Sequence, residues 1–372
     1  MEHLREIVKI VEWGLKGDVT RVAAYVKQFA EKLAGEKDEQ AASYLQQLLE
    51  KTVATVGASE LGNSARLPVD GESRLALADE EMIAASAVPI ILDERTTAAV
   101  EEFIRFVDKA DELKAHGVGI APSLIAVGPP GSGKTQLARH IAARLKLPLV
   151  TARADTLISS FLGSTSKNIR QLFDHVAHRN CVLFLDELDA FAKLRDDKQE
   201  MGELKRVVVS LLQNIDALDR GTVLLAASNH EHLLDPAIWR RFSFKVSLGL
   251  PSFEQRKHLL SLFGGEHGRS IDLDMGAALT DGLSGADIRN VVQTAIREAV
   301  INGKKELDGH SFYWRVIRTR LKEDIGRHDP TSGHVKAVHR LAPDILNGKR
   351  LADLFETSTS TISRKLNKGG AV

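Results

Sequence analysis

"GPPGSGKT", residues 128 to 135, decides the fold. It fits Gly, four residues, Gly, Lys, then Ser or Thr, the pattern of a loop that wraps phosphates in backbone N–H groups. The apolar run "SLIAVG" (123–128) precedes it, and "KTQLARHIAARL" (134–145) follows with helical spacing. A strand, a glycine-rich turn and a helix N-terminus together aim N–H groups and a partial positive charge at an anion. Pro130, Gly131, Ser132, Gly133, Lys134, Thr135 and Gln136 are therefore expected to hold a nucleotide. Lys134 would reach the β and γ phosphates, and the Thr135 hydroxyl would bind Mg²⁺. A plain glycine turn capped by Thr is the bland alternative, and it leaves the strand and helix context unexplained.

Downstream, "PLVTARA", "SKNIRQLFDHVAH", "CVLFLD", "RVVVSLLQNIDAL" and "TVLLAASN" alternate strand and helix signals, which indicates a parallel sheet with crossover helices. "VLFLDELD" (182–189) ends a buried strand on two carboxylates, where ligands of a parallel sheet bind. Asp186 is expected to hold the Mg²⁺ and Glu187 to orient and deprotonate the attacking water. Asp189 reads as a neighbouring switch or a helix cap, and the cap is favoured. Asn229, closing the next strand, can position the water or sense the γ-phosphate. In "LDPAIWRRF" (234–242), Arg240 and Arg241 are either a surface ion-pair couple or the site of an arginine finger.

The 372 residues suit two or three domains. A hydrophobic share of 43% and a charged share of 27% are those of a soluble globular chain. Fifty basic and fifty acidic residues cancel, so no overall field draws the molecule to nucleic acid or anionic lipid. Cys181, the single cysteine, excludes an internal disulfide and a thiolate zinc cluster, suits a reducing compartment and reads as a buried core thiol. "MEHLREIVKIVEWG" lacks the apolar stretch of a signal peptide, and no apolar run approaches the ~20 residues of a membrane span. A cytoplasmic protein without membrane partners is expected. Neither a His-Glu-x-x-His zinc site nor a Gly-x-Ser-x-Gly elbow occurs.

Five units are read along the chain: a three-helix N-terminal domain (1–57), a linker rich in Gly, Ser, Ala and acid (58–87), a large α/β domain (88–248), a small helical domain (249–322) and a C-terminal extension (323–372). In the extension, "GKRLADLFETSTSTISRKLNK" (348–368) follows the helix-turn-helix pattern. Leu351, Ala352 and Phe355 line the first helix, Thr357 and Ser358 make the turn and N-cap, and Ile362 with Leu366 packs the second. Glu356 stands where a turn glycine is usual. Residues 301–372 carry 14 Lys and Arg against 8 Asp and Glu. Ser363, Arg364 and Lys365 are thus candidate DNA contacts, with closing of the lid or protein binding as the alternative.

The order "GPPGSGKT", "VLFLDELD", "AASN", "LDPAIWRRF" and "LSGADIRNVV" is similar to the AAA+ ATPases, most closely the protein-remodelling clade. The resemblance covers residues 88 to 320 or so. It implies an AAA+ P-loop NTPase parallel sheet with a small helical lid, Mg²⁺-ATP hydrolysis and a homo-oligomeric ring, most often a hexamer. By resemblance Asn229 is the sensor 1 residue, Gly285 and Ala286 contact the base in place of a sensor 2 arginine, and Arg240 or Arg241 reaches into the neighbouring subunit. The clade spaces its two arginines with a Pro-Gly insertion absent here, which leaves the choice between them open. "SSFLGSTSKNIR" (159–170) falls where the clade carries a loop facing the central channel. There Phe161, Leu162 and Gly163 would grip a threaded protein substrate by area and shape, unless Phe161 packs beneath the loop. Residues 193–204 fit a second, charged channel loop or a solvated linker. The N-terminal unit resembles those of bacterial AAA ATPases encoded beside subtilisin-like serine proteases and linked to phage defence, which implies a separate serine protease partner. A DNA-associated regulator anchored by the C-terminal module is the alternative. A scaffold that binds ATP without turnover is opposed by Glu187.

Overall fold

The computed structural model describes residues 67–70, 76–84, 88–153, 157, 162–177, 179–190, 201–218, 221–321 and 330–367, with seven helical residues between 25 and 45. The rest of the expected three-helix unit, Ser160 and Phe161, residues 193–200 and Lys368 lie outside the described residues.

Six strands form one sheet in the order β1-β3-β4-β5-β2-β6. They are β1 (Asp79–Glu81), β2 (Ser123–Val127), β3 (Leu149–Arg153), β4 (Cys181–Asp186), β5 (Thr222–Ser228) and β6 (Phe244–Ser247). β1 runs antiparallel to β3, and the other pairings are parallel. The expected α/β class is therefore met. The near-continuous burial of β2, β4 and β5 is that of strands covered on both faces.

One face is covered by α1 (Glu94–Asp108) and α3 (Lys134–Leu145), with the short α2 (Ala110–Ala115) following α1. Phe103, Ile104, Leu137 and Ile141 pack there on Leu124, Ala126, Val182 and Phe184. The other face carries α4 (Leu162–Val176) and α5 (Met201–Asp216), whose Ile169, Leu172, Phe173, Val207 and Leu211 pack on Ile125, Val127, Leu183 and Leu185. Alternate residues of β2 thus feed opposite cores, as the two-residue strand period requires. A single turn, α6 (Pro236–Trp239), joins β5 to β6.

Two expectations change here. The segment 58–87 is more than a linker, because β1 pairs with β3 and buries Leu77 against the α4 core. Arg179 binds the Glu80 carboxylate at 2.6 Å, and buried Asn168 donates to Asp70 at 3.1 Å, so the segment is strapped along α4. Leu162 and Gly163, expected in a loop, open α4.

Beyond β6 the chain is helical: α7 (Phe253–Gly264), α8 (Leu273–Leu279), α9 (Gly285–Ile301), α10 (Gly309–Leu321), α11 (Ser332–Leu341), α12 (Gly348–Leu354) and α13 (Thr359–Asn367). The lid and the C-terminal extension, read as separate units meeting at 322/323, share one hydrophobic core from Leu260 to Ile362. Trp314 of α10 donates to the Leu354 carbonyl at 3.1 Å and meets Phe355 edge-on at 5.5 Å. Arg350 reaches Asp272 at 3.0 Å. Burying an aromatic of that size is worth about 3 kcal/mol, which holds α12 on the lid.

Candidate active site

Parallel strands bring their C-terminal ends to one edge, and the phosphate loop, Asp186, Glu187 and Asn229 all lie there. The loop leaves β2 at Gly128, whose amide donates to Ser228 at 3.2 Å, while Leu248 donates to Val127 at 2.8 Å. The glycines are demanded by space. A Cβ on Gly128 would lie 2.0 Å from the Leu248 carbonyl oxygen, and one on Gly131 (φ 76°) would lie 2.5 Å from Ser284 Oγ.

Lys134 opens α3 and is buried, 7% exposed. Its ammonium donates to the Gly128 and Pro129 carbonyls, both at 2.9 Å. Burial lowers its pKa, and Asp186, Asp189 and Glu187 act against that shift. Ser132 Oγ is buried without a hydrogen-bond partner among the described residues. An orphaned hydroxyl inside a glycine cradle fits a ligand rich in acceptor oxygens. Pro130 is exposed at the loop's tip, and Gln136 is half-buried in the first turn of α3.

Thr135 Oγ1 donates to Asp186 Oδ2 at 2.9 Å. That pair, a hydroxyl and a carboxylate from two elements meeting at the loop, is a donor set suited to Mg²⁺. Asp186 Oδ1 accepts from the Glu187 amide at 2.9 Å. Glu187 itself sits at φ 55°, left-handed for a residue with a side chain, and is exposed. The bend is held by the Leu188 amide on Ala227 at 2.8 Å. Strain of this kind costs about 1–3 kcal/mol and here turns a carboxylate out of the strand direction beside Asp186.

Asp189 is buried, and its Oδ1 accepts from Ser228 Oγ at 3.2 Å and from the Asn229 amide at 3.0 Å. It joins the ends of β4 and β5, a role beyond the cap read from sequence, and it fixes the backbone from which Asn229 projects. Gly285 and Ala286 begin α9, and the Ala286 amide donates to the Gly131 carbonyl at 3.2 Å. Ser284 and Asp287 form a reciprocal capping box there. The phosphate loop therefore touches the lid directly. Ser284, absent from the expected set, was visible in the sequence as the Ser-x-x-Asp of "SGAD".

Arg240 and Arg241 lie apart from this cluster. Ser123, the first residue of β2, donates to the Arg241 carbonyl at 3.0 Å, so both arginines sit at the opposite edge of the sheet. The two are not equivalent. Arg241 grips Asp216 through Nε and a terminal nitrogen, each at 2.9 Å. Arg240 is exposed, and its side chain makes no hydrogen bond or ion pair among the described residues. It lines an open cleft of about 290 Å³ with Ile120, Ile215 and Leu218. Of the candidate DNA contacts, Ser363 and Arg364 are exposed on α13. Lys365 is withdrawn, its ammonium hydrogen-bonded to the Pro330 carbonyl.

A parallel sheet with a glycine loop, a buried lysine and strand-end carboxylates at one edge defines a P-loop nucleoside triphosphatase. The family described as ATPase family associated with various cellular activities (AAA) matches residues 124–250. An uncharacterized AAA family ATPase, y4kL, of Sinorhizobium fredii is 37% identical over 238 residues, 64% of this chain and 72% of that protein. The ATP-dependent zinc metalloprotease FtsH of Acidothermus cellulolyticus is 31% identical over 65% of this chain and 38% of its own length. FtsH 3 of Sphaerobacter thermophilus is 30% identical over 65% of this chain and 53% of its own. The chain belongs to the AAA ATPase family and hydrolyses ATP. It spans between two fifths and about half of these two FtsH proteins. Among the described residues no helix is long and apolar enough to cross a membrane.

Proposed function

We propose that the chain is a Mg²⁺-dependent AAA motor that assembles into a ring and uses ATP hydrolysis to remodel or thread protein substrates. The Thr135–Asp186 contact beside the turned-out Glu187 carries this reading, because it sets a metal donor pair next to a candidate base. Thr135 and Asp186 would hold Mg²⁺, which when bound would neutralise charge on the triphosphate. Lys134 and the amides from Gly131 to Thr135 orient the triphosphate, with Gln136 and the lid residues Gly285 and Ala286 enclosing the nucleotide. Glu187 takes the proton of the attacking water as its oxygen bonds to the γ-phosphorus, and ADP leaves with the bridging oxygen. Asn229, placed by Asp189, positions that water.

Arg240 is the finger. Five strand residues separate its edge of the sheet from the phosphate loop, about 15 Å of chain, so its target is the nucleotide of an adjacent subunit. The zinc metalloprotease relatives support a protein substrate, gripped by Phe161, Leu162 and Gly163. Peptide cleavage is assigned to a separate chain, for which the N-terminal resemblance suggests a serine protease in phage defence. The reading is tested with an unfolded model protein such as casein. It should stimulate ATP turnover of the native chain and lose that effect in Phe161→Ala, whose basal turnover stays intact. Equal stimulation of both chains would return Phe161 to the core and remove the threading step.

A further inference from the structure

The pair α12 and α13 takes no part in the nucleotide site, and its outer surface has an uncommon chemistry. α12 ends at Leu354, and Glu356 adopts φ 46° in the turn, the left-handed position where glycine is usual. The Thr357 amide closes the helix on the Ala352 carbonyl at 2.9 Å, and Ser358 Oγ accepts the Thr361 amide at 3.2 Å to start α13. The chain thus makes the helix-turn-helix bend despite lacking the glycine.

Ile362 is wholly buried and Leu366 packs on the same core, which fixes the rotation of α13 about its axis. Thr359, Ser360, Ser363, Arg364 and Asn367 are left exposed on the other side. That face is made of hydroxyls, an amide and a guanidinium, and α13 contains no acidic residue. A merely solvated helix face ordinarily mixes Glu with Lys. Short hydroxyls with one arginine are instead the groups that reach base edges in a major groove.

We propose that α13 binds duplex DNA in the major groove, with Ser360, Ser363 and Arg364 at the base edges and the exposed Lys349 of α12 on a flanking phosphate. The opposite face of the pair is occupied by the lid through Trp314 and Arg350, so α13 is the side turned outward. Because α12 shares the lid's core, lid movement carries α13 with it, and a ring would present several copies to one duplex.

Fluorescence polarisation of a labelled mixed-sequence duplex of about 30 base pairs, titrated with the full chain from about 50 to 300 mM KCl, tests this. The native chain should bind with an affinity that falls with salt. Lys349→Ala, which removes the phosphate contact, should make the slope of log affinity against log salt shallower by about 1. Arg364→Glu and, independently, Ser363→Glu should weaken binding at least about tenfold with ATP turnover unchanged. No binding by the native chain at the lowest salt, or equal binding by both charge variants, would overturn the proposal and leave the face to a protein partner.

Discussion

Arg241 holds Asp216 in a two-pronged ion pair, 2.9 Å at each nitrogen, while its neighbour Arg240 points into solvent. Adjacent arginines therefore have different tasks. The pair holds the Asp216 carboxyl below its ordinary range, chiefly through the hydrogen bond to Arg241. Arg241→Ala should lower the melting temperature while leaving most ATP turnover. Arg240→Ala should leave the melting temperature unchanged and reduce turnover by ~10³-fold. Melting curves and steady-state phosphate release on both variants separate the roles. Mixing Arg240→Ala with Glu187→Gln subunits should restore part of the activity, since each supplies what the other lacks. No recovery would place Arg240 outside the neighbour's site.

Glu187 combines a proposed catalytic role with an unfavourable backbone. Glu187→Gln keeps shape and loses the base, so ATP binding should persist while turnover falls at least ~10²-fold. Glu187→Gly should lose turnover too, yet gain about 1 kcal/mol of stability, because glycine accepts φ 55° without a Cβ clash. Denaturant unfolding beside ATP-binding measurements decides it. A less stable glycine variant would show that Glu187 makes contacts that outweigh the strain.

The phosphate loop and the strand-end carboxylates were legible because their signals are local: glycines at fixed spacing, and an apolar run ending in acid. β1 was not, since "DEE" has no apolar alternation and becomes a strand only by pairing with β3 while Arg179 neutralises Glu80. The fusion of lid and extension was equally hidden, because Trp314 meets its acceptor 40 residues away. The choice between the arginines rested on Asp216, which lies 25 residues before Arg241 and is brought beside it by the end of α5. Asp189 was read as a cap from its neighbours in sequence, whereas its bonds to Ser228 and Asn229 cross between strands.

Cys181 starts β4 fully buried, and burial pushes its thiol up to about 11 from an ordinary 9.0. The unfolded thiol thus ionises first as pH rises. Stability is complete below pH 9 and should decline through the window up to about 11, by as much as ~1.4 kcal/mol per pH unit. Other groups titrate there as well, so the measurement is a comparison with Cys181→Ala. Between about pH 8 and pH 10.5 the native chain should lose about 1–2 kcal/mol more than the variant. Parallel pH profiles would mean that the thiolate finds compensation in the folded state.

Gly131 is the point at which the phosphate loop meets the lid. Its carbonyl accepts the Ala286 amide, and the space a side chain would need is filled by Ser284 Oγ at 2.5 Å and Ala286 Cβ at 3.0 Å. Gly131→Ala therefore faces two penalties, a left-handed φ of 76° and a collision with the first turn of α9. The lid must shift or the loop must open, and either displaces amides from the phosphate cradle. ATP affinity should fall at least about tenfold, or ~1.4 kcal/mol. Ser284→Ala should ease the collision but remove the cap of α9, a loss of about 1 kcal/mol. The double variant Gly131→Ala with Ser284→Gly should recover part of the affinity, because glycine removes the clashing hydroxyl and costs little as an N-cap. Titration of a fluorescent ATP analogue against the native chain, Gly131→Ala, Ser284→Gly and the double variant measures the coupling. Strict additivity of the two substitutions would show that the loop and the lid bind nucleotide independently.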